Sequence, residues 1–338
     1  MTSNGQLPAF LLEACRGTFG DRPEMAITDL KPISDGWECE VWSFDIETRE
    51  DGRLRRRGLI LRIYPGEAGP VKAAREFAAM RQLHRQGYPV PQVFCLDRDD
   101  SGRPAVIMER VDGRLLGQVL VSSSREEAER LVNRFCQLFV DLHGLDWQPF
   151  VSDPSRFRPE DCVKGWPEEA RVLLDRLGVT EAAPVLDWLA TEAARVRLAF
   201  PAVTHLDFHP WNILLRPDGA TFVIDWTQAG VTDYRFDLAW TLLLAEASLS
   251  REARDYILAA YERLRGAPTE DLAFFEAAAA AKRVLSIWLS FRLGPEALGM
   301  RPEATRLMAQ SGYHLRTAYA LLRERTGLRL PAVEALIS

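Results

Sequence analysis

The stretch Thr204-His205-Leu206-Asp207-Phe208-His209-Pro210-Trp211-Asn212, followed by Phe222-Val223-Ile224-Asp225-Trp226, constrains this chain more than any other. Two short apolar runs, Ile213-Leu214-Leu215 and Thr221-Phe222-Val223-Ile224, flank Arg216-Pro217-Asp218-Gly219. Asp-Gly between apolar runs is a strong hairpin signal. An antiparallel hairpin sets the start of one strand beside the end of the other. Asn212 and Asp225 are therefore expected to meet, with Asp207 on the loop just ahead of them. An amide oxygen beside a carboxylate is a pair of hard ligands suited to Mg²⁺. A nearby free carboxylate can take a proton from a hydroxyl. Together they form the equipment of phosphoryl transfer.

Singly, each of the three has a plainer reading. An Asp after a His is usually a turn or cap residue, and an Asn before an apolar strand is usually a turn residue. Spacing, hairpin and residue chemistry together favour the joint reading. One other chemistry competes. His205, Asp207 and His209 alternate, so on a strand they would share a face and could bind zinc, as in a zinc hydrolase. Pro210 argues against a regular strand there.

At 338 residues the chain can hold two domains or lobes, each with its own core. A net charge of −6 gives no general attraction to nucleic acid or to an anionic membrane. The five cysteines, at positions 15, 39, 95, 136 and 162, show no paired spacing and fit a reducing cytosol, so a cytoplasmic location is expected. Met1 to Gln6 lacks a signal pattern, and no apolar run is long enough to span a bilayer.

The pattern along the chain predicts an α+β protein. Ile27–Ile33, Glu40–Ile46, Arg53–Tyr64, Pro91–Leu96 and Pro104–Met108 read as strands of a small, mostly antiparallel sheet. One helix, Val71–Gln86, accompanies them with an apolar stripe at Ala73, Phe77, Met80 and Leu83; Glu76 lies on or beside that stripe. The arginine-rich stretch Arg53–Arg57 reads as a solvated hairpin tip. From Leu115 onward the spacing turns helical: Ser124–His143, Pro167–Leu177, Ala183–Ala199, Phe236–Glu246, Arg251–Leu264, Thr269–Leu293 and Pro302–Arg325. Ala277–Ala281 reads as a tightly packed helical segment. The expected division is an N-terminal nucleotide-binding lobe over residues 1–110 and a helical C-terminal lobe over 111–338, with the boundary near Val111-Asp112-Gly113.

His-x-Asp-x-x-x-x-Asn followed by a strand ending in Asp resembles the catalytic and metal-binding loops of the protein-kinase-like fold. The wording His-Leu-Asp-Phe-His-Pro-Trp-Asn-Ile-Leu and Ile-Asp-Trp is closest to the aminoglycoside phosphotransferase family, which also resembles choline and homoserine kinases. The resemblance implies a two-lobed fold with ATP and Mg²⁺ as cofactors. It implies Asp207 as catalytic base and Asn212 and Asp225 as Mg²⁺ ligands, with His205 and Asp237 supporting the loop.

On the nucleotide side, the resemblance asks for a phosphate-holding cation, and Arg62 stands where the family more often has Lys. Glu76 would pair with it. Ser34 and Gly36 belong to a turn, Ser34 to Cys39, that would cover the phosphates. Met108 would line the adenine pocket, and the Glu109 carbonyl and Val111 N–H would bind the base.

Leu206 replaces the arginine that protein kinases use to sense a phosphorylated loop, and little room follows Asp225 for a peptide-binding segment. A small-molecule acceptor is expected as partner, rather than a protein, nucleic acid or membrane. Asp161, Glu168, Glu169, Asp233 and Glu246 could serve a polycationic aminoglycoside. Trp166, Trp211, Trp226, Tyr234, Trp240 and Trp288 could serve a quaternary amine. A nucleotide-binding regulatory protein of the same fold is the rival class.

Overall fold

The computed structural model describes residues 7–22, 24–34, 39–51, 53–199, 201–294 and 312–337. They fall into two units. The first holds the described residues of Met1–Leu115 and Ile213–Gln228; the second holds those of Leu116–Asn212, Ala229–Leu298 and Pro302–Ser338.

In the first unit, β1 (Ala26–Ser34), β2 (Glu40–Glu50), β3 (Arg53–Ile63), β4 (Val93–Arg98) and β5 (Pro104–Glu109) form an antiparallel sheet of order β1-β2-β3-β5-β4. The end of β3 alternates: Leu59, Leu61 and Ile63 are buried, while Ile60 and Arg62 take the other face. The Leu59 face packs against α1 (Leu7–Phe19) through Leu7, Phe10, Leu11, Ala14 and Cys15. This helix corrects the expectation of a single helix beside the sheet. A sheet face carrying Phe44, Leu59 and Leu61 needs an apolar cover, and the three-and-four spacing of α1 supplies it.

The second helix of this unit, α2 (Gly69–Arg85), packs on β4 and β5 and buries Ala73, Glu76, Met80 and Leu83. Phe77, expected on that stripe, is only half-buried, and Glu76 takes the inward position. The arginines of Arg53–Arg57 are exposed. The Arg57 guanidinium lies over the rings of Phe19 and Phe94, at 4.7 and 4.4 Å from their centroids.

The first unit also contains β6 (Arg114–Leu115), β8 (Ile213–Leu215) and β9 (Thr221–Val223), with β8 between the other two. The β8–β9 hairpin has the expected register, Ile213 opposite Val223. Its turn closes with Arg216 N–H donating to the Ala220 carbonyl at 2.9 Å, and Gly219 supplies φ of 85°.

In the second unit β7 (Pro201–Thr204) pairs antiparallel with β10 (Gly230–Asp233). The helices are α3 (Leu116–Ser122), α4 (Arg125–His143), α5 (Asp161–Leu177), α6 (Ala183–Ala193), α7 (Tyr234–Ser248), α8 (Arg251–Arg265), α9 (Leu272–Leu293), α10 (Gly312–Thr326) and α11 (Pro331–Ile337). Ser124, expected as the first helical residue, instead caps α4, its hydroxyl accepting from Glu127 N–H.

Two helix boundaries move furthest. α5 begins at Asp161 rather than Pro167; burial of Cys162 and Val163 offsets the hydrogen bond that the proline cannot make. α6 stops at Ala193, short of Ala199. Of the helix expected over Pro302–Arg325, residues 302–311 lie outside the described residues. α9 is buried on nearly all sides, and Ala277–Ala281 are at most 3% exposed against α7 and α10, where small side chains permit close helix approach. Among the described residues no helix is long and apolar enough to cross a membrane.

Candidate active site

After β7 the backbone passes through Leu206 with φ of 61°, a left-handed conformation that costs a bulky residue about 1–3 kcal/mol. Asp237, fully buried on α7, offsets this cost. Its Oδ2 accepts from His205 N–H at 2.7 Å and its Oδ1 from Leu206 N–H at 2.8 Å. The same helix face supplies two more bonds. Trp240 Nε1 donates to Asp207 Oδ1 at 3.1 Å, and Thr241 Oγ1 donates to the Phe208 carbonyl at 2.7 Å. Positions 237, 240 and 241 are related by three and four residues, so one helix stripe holds four consecutive loop residues.

Phe208 anchors the loop from within. It is fully buried, with its ring stacked on Phe139 at 4.2 Å between centroids. His143 of α4 buttresses the clamp, with Nδ1 2.8 Å from the Tyr261 hydroxyl and Nε2 3.4 Å from Asp237 Oδ2. Asp237→Ala is expected to strand two buried N–H groups and to destabilise the protein by about 2–5 kcal/mol. Urea unfolding checks this, and Asp237→Asn, which retains an acceptor, should lose less.

The clamp leaves the Asp207 side chain 32% exposed. Burial works against its charge, but His209, the Trp240 N–H and His205 more than compensate and hold the carboxyl well below the usual carboxylate range. His209 Nε2 lies 3.5 Å from Asp207 Oδ2. Asn212 closes a 3₁₀ turn, Pro210–Asn212, and its Nδ2 donates to the Asp207 carbonyl at 3.0 Å. With the amide nitrogen engaged, the Asn212 amide oxygen makes no hydrogen bond among the described residues and suits a hard cation.

The zinc arrangement does not form. His205 is fully buried in the loop core, and among the described residues no group of three His, Cys, Asp or Glu is placed to hold a metal.

The first unit carries a second charged centre. Arg62 sits on the face of β3 opposite Leu61, as the alternation requires. Its Nη1 lies 3.0 Å from Glu76 Oε1 and its Nη2 3.0 Å from Asp225 Oδ1. Fully buried Glu76 also accepts from the Tyr64 hydroxyl and, at 3.0 Å, from Trp226 N–H. Burial pushes the Glu76 carboxyl up; burial also works against the Arg62 charge, yet Glu76 and Asp225 keep that guanidinium protonated. Asp225 has φ of 67° and a side chain 42% exposed, and it accepts from Thr227 Oγ1 at 3.1 Å.

Met108 is buried in β5 and Glu109 ends that strand. Val111 follows, half-buried, and its N–H finds no acceptor among the described residues. Ser34 ends β1, while Gly36 and the rest of the 35–38 turn lie outside the described residues.

Several acceptor-binding candidates are already engaged. Asp233 is 1% exposed, caps α7 and pairs with Arg235 at 2.7 Å. Asp161 pairs with Arg158 at 2.8 Å. Trp226, Tyr234, Trp240 and Trp288 are at most 7% exposed and pack in cores; Trp211 is 49% exposed. Sequence reasoning did not single out Trp240, Thr241 and His143 as loop supports, nor Tyr64 and Trp226 N–H as partners of Glu76. The i, i+3, i+4 relation of Asp237, Trp240 and Thr241 was the available signal.

The model of the phosphotransferase enzyme family, APH, matches residues 29–275. The chain belongs to the phosphotransferase enzyme family. Among proteins to which this family member is similar, mouse acyl-CoA dehydrogenase family member 10 is 28% identical over 206 residues, 56% of this chain and 19% of that protein. Protein LicA of Haemophilus influenzae is 44% identical over 57 residues, 17% of this chain and 20% of LicA. The matches thus span about a fifth of the length of these relatives.

A Ralstonia eutropha JMP134 protein with a provisional aminoglycoside phosphotransferase designation superposes with a TM-score of 0.62 at 19% identity, covering 94% of this chain and 98% of that one. A thermostable mutant of aminoglycoside phosphotransferase APH(4)-Ia, in ternary complex with AMP-PNP and hygromycin B, gives 0.59 at 18%, covering 94% and 99%. The chain therefore has the α+β, protein-kinase-like fold of these proteins, with a small antiparallel sheet in its first unit and a mainly helical second unit.

Proposed function

We propose that the protein transfers the γ-phosphoryl group of ATP to a hydroxyl of a small-molecule acceptor. The observation that carries this reading is the Asp207 loop: a strained backbone clamped by Asp237 and Thr241, presenting one carboxylate that Trp240 orients. Such rigid support costs a fold stability unless a carboxylate must be held in one place. The AMP-PNP complex of the structurally similar APH(4)-Ia supports ATP as donor.

In the proposed reaction Asp207 accepts a hydrogen bond from the acceptor hydroxyl and orients its oxygen toward the γ-phosphorus. The new oxygen–phosphorus bond forms in line as the bond to the β-phosphate oxygen breaks. ADP leaves with that electron pair, and the hydroxyl proton passes to an Asp207 oxygen. A carboxyl held below its usual range is a weak base, so its main contribution is orientation, with proton transfer late, as a loose transition state permits. Arg62, held by Glu76, would bind the nucleotide phosphates with a guanidinium fork where a point-charge lysine is more common.

Asn212 and Asp225 offer the oxygen donors that Mg²⁺ prefers, an unengaged amide oxygen and a part-exposed carboxylate. When bound, the ion would neutralise phosphate charge. Ser34 and Gly36 for phosphate contact, and Met108, Glu109 and Val111 for adenine, complete the proposed nucleotide site; a cytoplasmic location fits it.

The test is ADP release with Mg·ATP across a panel of hydroxylated small molecules, with equilibrium nucleotide binding in parallel. Acceptor-dependent turnover is expected. Nucleotide binding without turnover on any acceptor would favour the regulatory reading, and absence of Mg·ATP binding would overturn the proposal.

A further inference from the structure

Among the described residues of the helical unit, buried charges on α7 and α9 are paired. Glu276 on α9 is 3% exposed and pairs with Arg254 and Arg325. Arg235, 3% exposed by side chain, pairs with Asp233 and also donates to the Arg197 carbonyl at 2.6 Å. The Arg283 side chain, on the same helix as Glu276 and only partly exposed, makes no ion pair or hydrogen bond among the described residues. Its Nε is sealed from solvent without a partner. Leaving a guanidinium N–H unmet in a desolvated place is costly, and native proteins rarely retain one without use.

The position of Arg283 is informative. Its guanidinium carbon lies 5.9 Å from the Trp240 ring centroid, and that indole donates to Asp207. Lys282 Nζ lies 4.7 Å from the same ring. Two further nitrogens are buried without a partner in this neighbourhood: His209 Nδ1, on the ring whose Nε2 faces Asp207, and His314 Nδ1 on α10. His314 is 8% exposed, and burial, Arg283 and His209 push its pKa down to about 4. Burial likewise lowers the Arg283 pKa, with Asp207 and Tyr313 opposing. The surroundings of the proposed base thus hold one guanidinium nitrogen and two ring nitrogens buried without a partner.

We propose that Arg283, with His314 and His209 near it, receives an oxyanion group of the acceptor, carboxylate or phosphate, and so presents a hydroxyl of that molecule to Asp207. This rests on the phosphotransfer reading above and specifies its substrate class: an anionic alcohol. A polycationic aminoglycoside would meet Arg283 where it needs carboxylates. A quaternary amine would need the Trp240 face, which Lys282 and Arg283 already occupy.

The test uses the full-length protein and matched acceptors: pantothenate against panthenol, glycerol phosphate against glycerol, gluconate against sorbitol, with choline and kanamycin as cations. Turnover and direct binding by calorimetry in the presence of Mg·ADP are both read. The expected result is a preference for the anionic member of at least one pair, with KM or Kd raised about tenfold or more in Arg283→Ala. Arg283→Lys should recover part of that loss, while the KM for ATP stays within about twofold. The carboxylate and phosphate arms identify which oxyanion is used.

Thermal unfolding confirms that each variant folds; if Arg283→Ala does not, the Lys variant and the anion preference of the wild type decide. Turnover confined to neutral or cationic acceptors would leave the phosphotransferase reading intact and overturn this inference. So would an Arg283→Ala effect on ATP alone, or the absence of Arg283-dependent binding of every oxyanion tested.

Discussion

Asp207→Asn is expected to lower kcat about a thousandfold while leaving Mg·ATP affinity nearly unchanged, within the usual range for losing a positioned acid–base group. Asn retains an oxygen for the Trp240 indole and the shape of the loop, so a change in Tm of more than a few degrees would point to a structural rather than chemical role. Rapid-quench measurement of the first turnover separates the chemical step from product release.

The pH profile makes the prediction sharper. The Asp207 carboxyl is held well below its ordinary range, so it stays ionised from alkaline pH down through mild acid. The stabilisation tied to its charge is present above the unfolded carboxylate value of about 4 and is lost only as pH falls through the lower folded value. Any acid limb in kcat above about pH 5 must then arise from another group, and it should survive unchanged in the residual activity of Asp207→Asn. An acid limb that disappears with the substitution would place the Asp207 pKa far higher than its surroundings imply.

Glu76→Ala is expected to carry the largest stability loss of any single substitution in the sheet-bearing unit. It removes the partner of buried Arg62 and strands both the Tyr64 hydroxyl and Trp226 N–H. Breaking a buried ion pair on one side costs about 3–5 kcal/mol, because the remaining charge stays desolvated. Urea unfolding should show the drop, and Glu76→Gln, which still accepts from Trp226, should lose less. Replacing both Arg62 and Glu76 by leucine should recover much of the stability and none of the nucleotide affinity. If the double variant binds ATP as tightly as the wild type, Arg62 has no part in holding phosphate.

Local pattern already determined much of this protein. Asp218-Gly219 between apolar runs made the β8–β9 hairpin, because glycine accepts positive φ without strain and the flanking residues need a partner strand. Alternation along β3 put Arg62 opposite Leu61, and helical spacing put Glu76 on or beside the inward stripe of α2; that the two would pair was what the family resemblance implied. The three-and-four pattern outlined most helices, and the alanine run of α9 announced a close-packed core.

Tertiary structure decided what no local pattern carries. The hairpin groups with the sheet-bearing unit although the chain around it is helical, because strand β6 offers β8 a hydrogen-bonding edge. Asp225 is engaged by Arg62, and Asp237, Trp240 and Thr241 are spent on the Asp207 loop, since a strained backbone requires distant donors and acceptors. Asp233 and most of the tryptophans suggested for acceptor binding went instead to a helix cap and to cores. Only the packing of α9 against α7 and α10 seals the Arg283 Nε from solvent without a partner, beside the loop. Propensity and periodicity act over a few residues, whereas the desolvation of a charge depends on everything folded around it.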